Sequence, residues 1–445
     1  MRERAVAGRG DSQTRPLDRR IVAMALPALG ALLVEPIYNL TDSAIVGHLG
    51  RAPLGALAIA SGSLNIVWWT TAFVEMATVT LVAQSRGAGD LESAAKDVGA
   101  AYVLALLLGV VSAAFIALAA PGLTSLLGGK GAVAHGSITY LRIAAIGLVP
   151  LVVTLAGTGH MNGLGNTRRP FEIALVSNFL NVVLEVVLVY VVHLGIAGSA
   201  WGTVAAQVVS AAFFVRSSRR AELRPSPPLA AQLKRLARDG LPLTVRTVAL
   251  GAALLASTAV AARFGAAVLA GHQIALQIWL LLALALDALA VPAQVLVGEA
   301  IGRRDPAEAD RVGRRTLRLG LVAGAALGAL TMALAVVIPY VFSADPSVRH
   351  QAMLALLICG AQQPLAALAF VLDGLLLGAS EYRVLRSGML VALLGFAPVA
   401  GLVLGFHVLG ILGPWLALSA WLMVRTAYLM GGWRRGRWRA AVAAA

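Results

Sequence analysis

The chain has 445 residues, of which 59% are hydrophobic and only 13% charged. Soluble domains are roughly 45 to 50% apolar, so this composition excludes an ordinary soluble globule and indicates an integral membrane protein. The net charge of +15 excludes nucleic acid as a partner through its placement, because the basic residues sit in loops and tails and form no stripe interleaved with aromatics.

Apolar runs of about 20 residues cross a bilayer core as helices, and twelve such runs are predicted. Residues 1–20 are arginine-rich and precede a first span too long for a signal-peptide core, so they are read as a cytoplasmic basic tail. Residues 21–215 form an N-terminal lobe with spans near 21–46, 54–82, 98–120, 138–161, 171–192 and 196–215. Span one carries Glu35 and Asp42 two helical turns apart on one face, about 10 Å along the axis, with Pro36 between them. A proline removes one ladder hydrogen bond and permits a bend, which makes this acid-bearing helix a candidate conformational switch.

Span two holds Glu75 between Thr71 and Thr78, with Trp68 and Trp69 in the same span. Span five places Asn178, Asn181 and Glu185 along one polar stripe. Where such a stripe meets Asp42, two carboxylates brought together away from water favour holding a proton. Glu35, Asp42 and Glu185 are therefore the candidate proton-coupling residues. Residues 216–238, with the sequence RPSPP at 224–228, are the predicted cytoplasmic linker.

Residues 239–430 form a C-terminal lobe with spans near 241–262, 268–297, 317–341, 352–377, 389–408 and 411–430. Arg246 lies in span seven, Asp287 and Gln294 share a face of span eight, and Asp373 lies near the end of span ten. An unpaired intramembrane charge is expensive, so Arg246 is expected to neutralise Asp287 or Asp373. These four residues, with Asn178 and Asn181, are candidates for lining a substrate or cation path. Glu299, at a helix end, is expected to be solvated. Trp433 and Trp438, in the tail at 431–445, suit an interfacial belt.

The two lobes repeat one another about 215 residues apart. Pro27 recurs as Pro242, Gly50 as Gly265 and Leu54 as Leu269, and VAQSRGAGD at 82–90 recurs as VGEAIGRRD at 297–305. Duplicated membrane units with a site at the seam are a transporter architecture. The acids do not repeat: Asp42 aligns with Ser257, Glu35 with Leu250 and Glu185 with Ala400. Coupling chemistry is thus expected in the first lobe alone.

The loops opposite the tail hold only Arg51, Lys130, Arg142, Arg263 and Arg349. By the positive-inside rule both termini are cytoplasmic. No phosphate-binding G-x-x-x-x-G-K-[ST] loop occurs, since GGKG at 128–131 is followed by Ala. No clustered Cys/His set suggests zinc, and the single Cys359 permits no intrachain disulfide.

TDSAIVGHLG at 41–50 and the VAQSRGAGD stretch resemble the multidrug and toxic compound extrusion (MATE) family, in its DinF-like branch. Further matches are HQIALQIW at 272–279, LDALAVPAQVLVGEAIG at 286–302 and QPLAALAFVLDGLLLGA at 363–379. The similarity covers nearly the whole chain. It implies an all-α polytopic fold of twelve transmembrane helices in two pseudo-symmetric six-helix lobes around a central cavity. It also implies alternating access, with the first-span acid, here Asp42, as coupling site. Asn181 and Glu185 match the family's span-five Asn and acid, and Thr203 in GSAWGT is its span-six Thr. Glu185 stands where Asp is familiar, and Glu75 where a basic or neutral residue is.

The expected function is export of lipophilic, cationic or otherwise amphipathic small compounds in exchange for protons, without a cofactor, by a monomer in a bacterial inner membrane. Sodium is the alternative coupling ion, held by Asp42, Asn181, Glu185 and Thr203. A lipid-linked precursor flippase would require a basic cavity, for which Arg246, Arg142 and Arg425 are the only candidates. A non-transporting receptor or scaffold would carry no gradient-driven flux.

Overall fold

The computed structural model describes residues 2–228, 230–406 and 408–439. Among these no strand occurs. Helices satisfy every backbone group within one segment, which a bilayer demands of any open chain that crosses it. In chain order they are α1 (Arg2–Gly47), α2 (Arg51–Thr71), α3 (Phe73–Gly87), α4 (Leu91–Leu126), α5 (Gly131–Gly163), α6 (Arg168–Val186) and α7 (Ile196–Arg220). They continue as α8 (Ala230–Ala262), α9 (Ala266–Gly302), α10 (Pro306–Leu334), the short α11 (Ile338–Phe342), α12 (Pro346–Ala361), α13 (Gln363–Gly378), α14 (Tyr382–Phe406) and α15 (Leu412–Arg435). A π-helical turn, Val187–Val191, extends α6.

Ten helices or helix runs are long and apolar enough to cross a membrane, and α12 with α13 makes an eleventh span bent by 53°. The twelfth expected span is α15, which is less apolar because it carries Arg425. The bend at α12 and α13 has a local cause. Pro364, in the first turn of α13, has no N–H to continue the ladder. The N-terminal segment expected as a tail is helical from Arg2 and runs unbroken into the first span. Of the expected C-terminal tail, residues 440–445 lie outside the described residues.

The internal repeat is visible in the backbone. VAQSRGAGD and VGEAIGRRD each end in an N-cap: the Asp90 carboxylate accepts from the Ser93 N–H and that of Asp305 from the Glu308 N–H, both at 2.9 Å. An N-cap carboxylate satisfies one orphan donor of the helix it opens and complements its positive end. The preceding residues, Gly89 and Arg304, both take left-handed φ, +72° and +59°. Glycine does this freely, whereas Arg304 does so at a steric cost.

Contacts divide the chain into two compact units, Gly30–Thr244 and Met1–Leu29 with Val245–Ala445. The boundaries fall within α1 and within α8, one repeat length apart. In the first unit the buried apolar residues include Val46, Leu57, Ile116, Tyr140, Leu141 and Ala200. In the second they come from α8, α9 and α12 to α15, among them Trp279, Trp415 and Trp421.

Small residues set the packing distance, as is usual where lipid tails provide no hydrophobic drive between helices. A methyl group at Gly374 of α13 would lie 2.3 Å from the Ala290 carbonyl oxygen of α9. Two expectations are corrected here. Trp433 and Trp438 are buried and stack on one another, with ring centroids 4.7 Å apart, instead of forming an interfacial belt. Glu299 is buried rather than solvated, because Arg20 reaches it.

Replacing Asp305 by Ala is expected to cost about 1 kcal/mol of stability, with Asn tolerated. Thermal unfolding of the detergent-solubilised protein measures this, and equal stability of the three proteins would remove the cap from the fold's energetics.

Candidate functional site

The unit Gly30–Thr244 brings together polar residues from four helices, three of them contributing pairs one turn apart. Side chains four residues apart share a helix face. Thus Tyr38 and Asp42 project together from α1, Asn181 and Glu185 from α6, and Ser199 and Thr203 from α7. Asp42, Asn181, Glu185 and Ser199 are all buried.

The Ser199 hydroxyl donates to Asp42 Oδ1 at 2.8 Å. Thr203 Oγ1 donates to the Ser199 carbonyl at 3.1 Å and lies 3.0 Å from the Tyr38 hydroxyl. Two hydroxyls of α7 therefore reach Tyr38 and Asp42 of α1. Close approach of α6 and α7 depends on Gly202: a methyl group there would sit 3.2 Å from the Glu185 nitrogen and 3.3 Å from Asn181 Oδ1.

Glu185 has the most demanding environment. It is fully buried, and neither carboxylate oxygen accepts a hydrogen bond of ordinary geometry from the described residues; Asn181 Oδ1 is in the same condition. The Asp42 carboxyl group and the Ser199 hydroxyl both lie close to the Glu185 carboxyl group. Acceptor faces acceptor, and such a pair is satisfied by a proton held between them or by a small cation. Tyr140 of α5, also buried, has the Asp42 and Glu185 carboxyls within electrostatic range and the Ser199 and Thr203 hydroxyls within reach. Just beyond Glu185, α6 opens into its π-helical turn, a distortion common at functional positions. Its Tyr190 donates to the Ile45 carbonyl of α1 at 2.6 Å.

Of the residues expected at this site, Asp42, Asn181, Glu185 and Thr203 converge. Glu35 is exposed, two turns before Asp42, and stands outside the group. Asn178 turns back on its own helix, its amide donating to the Ala174 carbonyl at 2.8 Å. Pro36 lies within α1, which stays helical through it. Glu75 accepts from Asn162 Nδ2 at 3.5 Å. Tyr38, Ser199 and Tyr140 were not anticipated. The first two stand four residues before Asp42 and Thr203, a spacing that marks them once those acids and hydroxyls are singled out.

The second unit gathers opposite charges instead. Asp373 on α13 accepts from Arg246 Nη2 of α8 at 2.5 Å and from Arg425 Nη2 of α15. Asp287 on α9 is close enough to interact with both arginines. The Arg425 guanidinium also lies 5.2 Å from the Trp421 ring centre and 5.5 Å from that of Phe370, within cation–π range. Arg246 thus neutralises Asp373, as its placement in an apolar span required, and Arg425 is the partner that sequence reasoning did not supply. Gln294 is buried on α9, two turns beyond Asp287.

With the geometry in place, comparison with known proteins is informative. The MatE family model matches residues 27–187 and again 242–406, once in each repeat. Protein DETOXIFICATION 44, chloroplastic, of Arabidopsis thaliana is 31% identical over 431 residues, covering 94% of this chain and 82% of its own. The DNA damage-inducible protein F of Escherichia coli strain K12 is 26% identical, covering 95% and 93%. A solved structure described as the outward-facing conformation of a multidrug resistance MATE family transporter of the MOP superfamily superposes with a TM-score of 0.88. It shares 22% identity and covers 96% of this chain and 97% of its own.

Truncating Asp373 to Ala strands two buried guanidinium groups, which is expected to cost roughly 3 to 5 kcal/mol. Arg425→Ala should cost less, because Arg246 still neutralises the carboxylate. Thermal unfolding of the purified variants would show this order; Arg425→Ala proving the more damaging would overturn it.

Proposed function

This chain belongs to the MatE family of multi-pass membrane transporters, and we propose that it exports lipophilic cationic compounds in exchange for protons, with Asp42 and Glu185 as the coupling pair. The observation that carries the proposal is the burial of these two carboxyls side by side, with no formed hydrogen bond on either Glu185 oxygen. Protonation from outside neutralises the pair and removes its attraction for a bound cation. Deprotonation inside restores that attraction.

Asn181, Thr203, Ser199, Tyr38 and Tyr140 hold the pair and supply hydroxyl and amide partners as its charge changes. A membrane potential contributes roughly 2.3 kcal/mol per charge per 100 mV, and one pH unit about 1.4 kcal/mol per proton. Exchange of protons for a drug can therefore proceed without ATP.

Sodium is the second reading, favoured by the number of oxygen atoms in the group: two carboxylates, Asn181 Oδ1 and the Thr203 and Ser199 hydroxyls. The flippase reading is disfavoured, since Arg246 and Arg425 are both engaged with Asp373. Similarity to the Escherichia coli protein supports assignment to the DinF-like branch. We place both termini in the cytoplasm on the strength of the basic-loop asymmetry, and propose with it a monomer in a bacterial inner membrane.

The test is flux of a lipophilic cation into everted vesicles driven by a proton gradient. Asp42→Asn and Glu185→Gln are each expected to reduce flux by about a hundredfold, the scale of losing a positioned proton-transfer group. Wild-type flux in both variants would sink the assignment. Flux that requires sodium and ignores a pH gradient would transfer the same residues to the sodium reading.

A further inference from the structure

The N-terminal segments of α1 and α8 each pack with helices of the opposite repeat. Residues up to Leu29 of α1 belong with Val245–Ala445, whereas α8 up to Thr244 belongs with the unit that starts at Gly30. Something must hold each segment against helices of the repeat to which the rest of its own helix does not belong.

One arginine per repeat does so. Arg20 and Arg235 occupy equivalent positions, one repeat length apart. Arg20 Nη2 donates to both oxygens of Glu299, at 3.0 and 2.8 Å, at the C-terminal end of α9. Arg235 Nη2 donates to Asp97 Oδ1 of α4 at 2.6 Å. In each pair the arginine is part-exposed and the acid buried, with 6% of the Glu299 side chain and 1% of the Asp97 side chain accessible.

The residue after each arginine, Ile21 and Leu236, is again an equivalent pair, and both are fully buried. A second tie holds the α1 segment, where Asp18 pairs with Arg315 of α10, and Ser85 of α3 fixes the accepting Asp97 by donating to its Oδ2 at 3.4 Å.

The accepting acids are not repeats of one another. Glu299 aligns with Gln84 and Asp97 with Val312. The same contact is thus built twice on arginine positions that obey the internal repeat, with independently placed carboxylates, which a purely incidental surface ion pair would not require.

We propose that Arg20 and Arg235 are positioning residues for transport, seating the N-terminal segments of α1 and α8 on the opposite repeat so that the remainder of each helix, including Asp42 on α1, starts from a defined base. The role in turnover rests on the transporter reading; the seating does not. Neither arginine touches the Asp42 and Glu185 group, so their removal changes how fast the protein cycles and not what it binds.

The test places a single cysteine at Ile21 or at Leu236 in protein carrying Cys359→Ala and measures its reaction with a membrane-permeant maleimide. Protection is expected with both arginines intact. Labelling should be about tenfold faster at residue 21 with Arg20→Ala and at residue 236 with Arg235→Ala, a local opening at the low-stability end of the structure. Unchanged labelling in these variants overturns the seating role, whether or not the protein transports anything.

In vesicles that show proton-driven flux, Arg20→Glu is expected to lower the maximal rate about tenfold with an unaltered apparent KM. Combining it with Glu299→Arg should restore both rate and protection, since contacting pairs couple in double-mutant cycles. A raised KM at unchanged maximal rate, or no recovery in the reversed pair, would overturn the positioning role.

Discussion

A carboxylate in an apolar span must find a counter-charge, a set of donors or a proton, and this one constraint organises the polar interior. The two units answer it in different ways. In one, Asp373 takes two arginines and Asp287 stands near them, so the charge is balanced by fixed protein cations. In the other, Asp42 accepts from a single serine hydroxyl and Glu185 accepts no formed hydrogen bond, with the two carboxyls close together. The first arrangement is complete in one state. The second is not, which is what distinguishes a structural ion pair from a group suited to repeated charging.

Geometry around the second arrangement follows from helix periodicity. Three pairs one turn apart aim six side chains at one region, and Gly202 allows α6 and α7 to approach closely enough for Asn181 and Glu185 to belong to it. The π-helical turn after Glu185 interrupts the regular ladder where Tyr190 reaches back to α1. The longer Glu stem, where Asp is familiar in the family, still brings its carboxyl within reach of Asp42. The departure from the family pattern is thus accommodated without separating the pair.

Duplication supplies the frame but not the chemistry. The N-caps Asp90 and Asp305, the left-handed residues before them, and the arginines Arg20 and Arg235 all obey the repeat. The acids of the two interiors do not. Scaffold positions are held by backbone requirements that both copies share, whereas the interiors are free to diverge once each has found its own means of neutralising charge. That division explains why the family model matches both halves while only one half holds the carboxyl pair.

Hydropathy alone determined that the chain is a helical membrane protein with about twelve spans, because a bilayer permits few backbone solutions and only the helical one leaves a long apolar run. Fixed spacing in the primary structure likewise revealed the duplication and placed Asp42 and Glu185 on polar faces. Sequence could not say that Glu35 and Asn178 lie outside the group, since a shared face is a property of one helix and convergence a property of several. Nor could it assign Arg425 to Asp373, bury Glu299 against Arg20, or stack Trp433 on Trp438. The first two depend on contacts between residues 52 and 279 positions apart, and the third on the burial of both rings against the rest of the fold, which only tertiary packing decides.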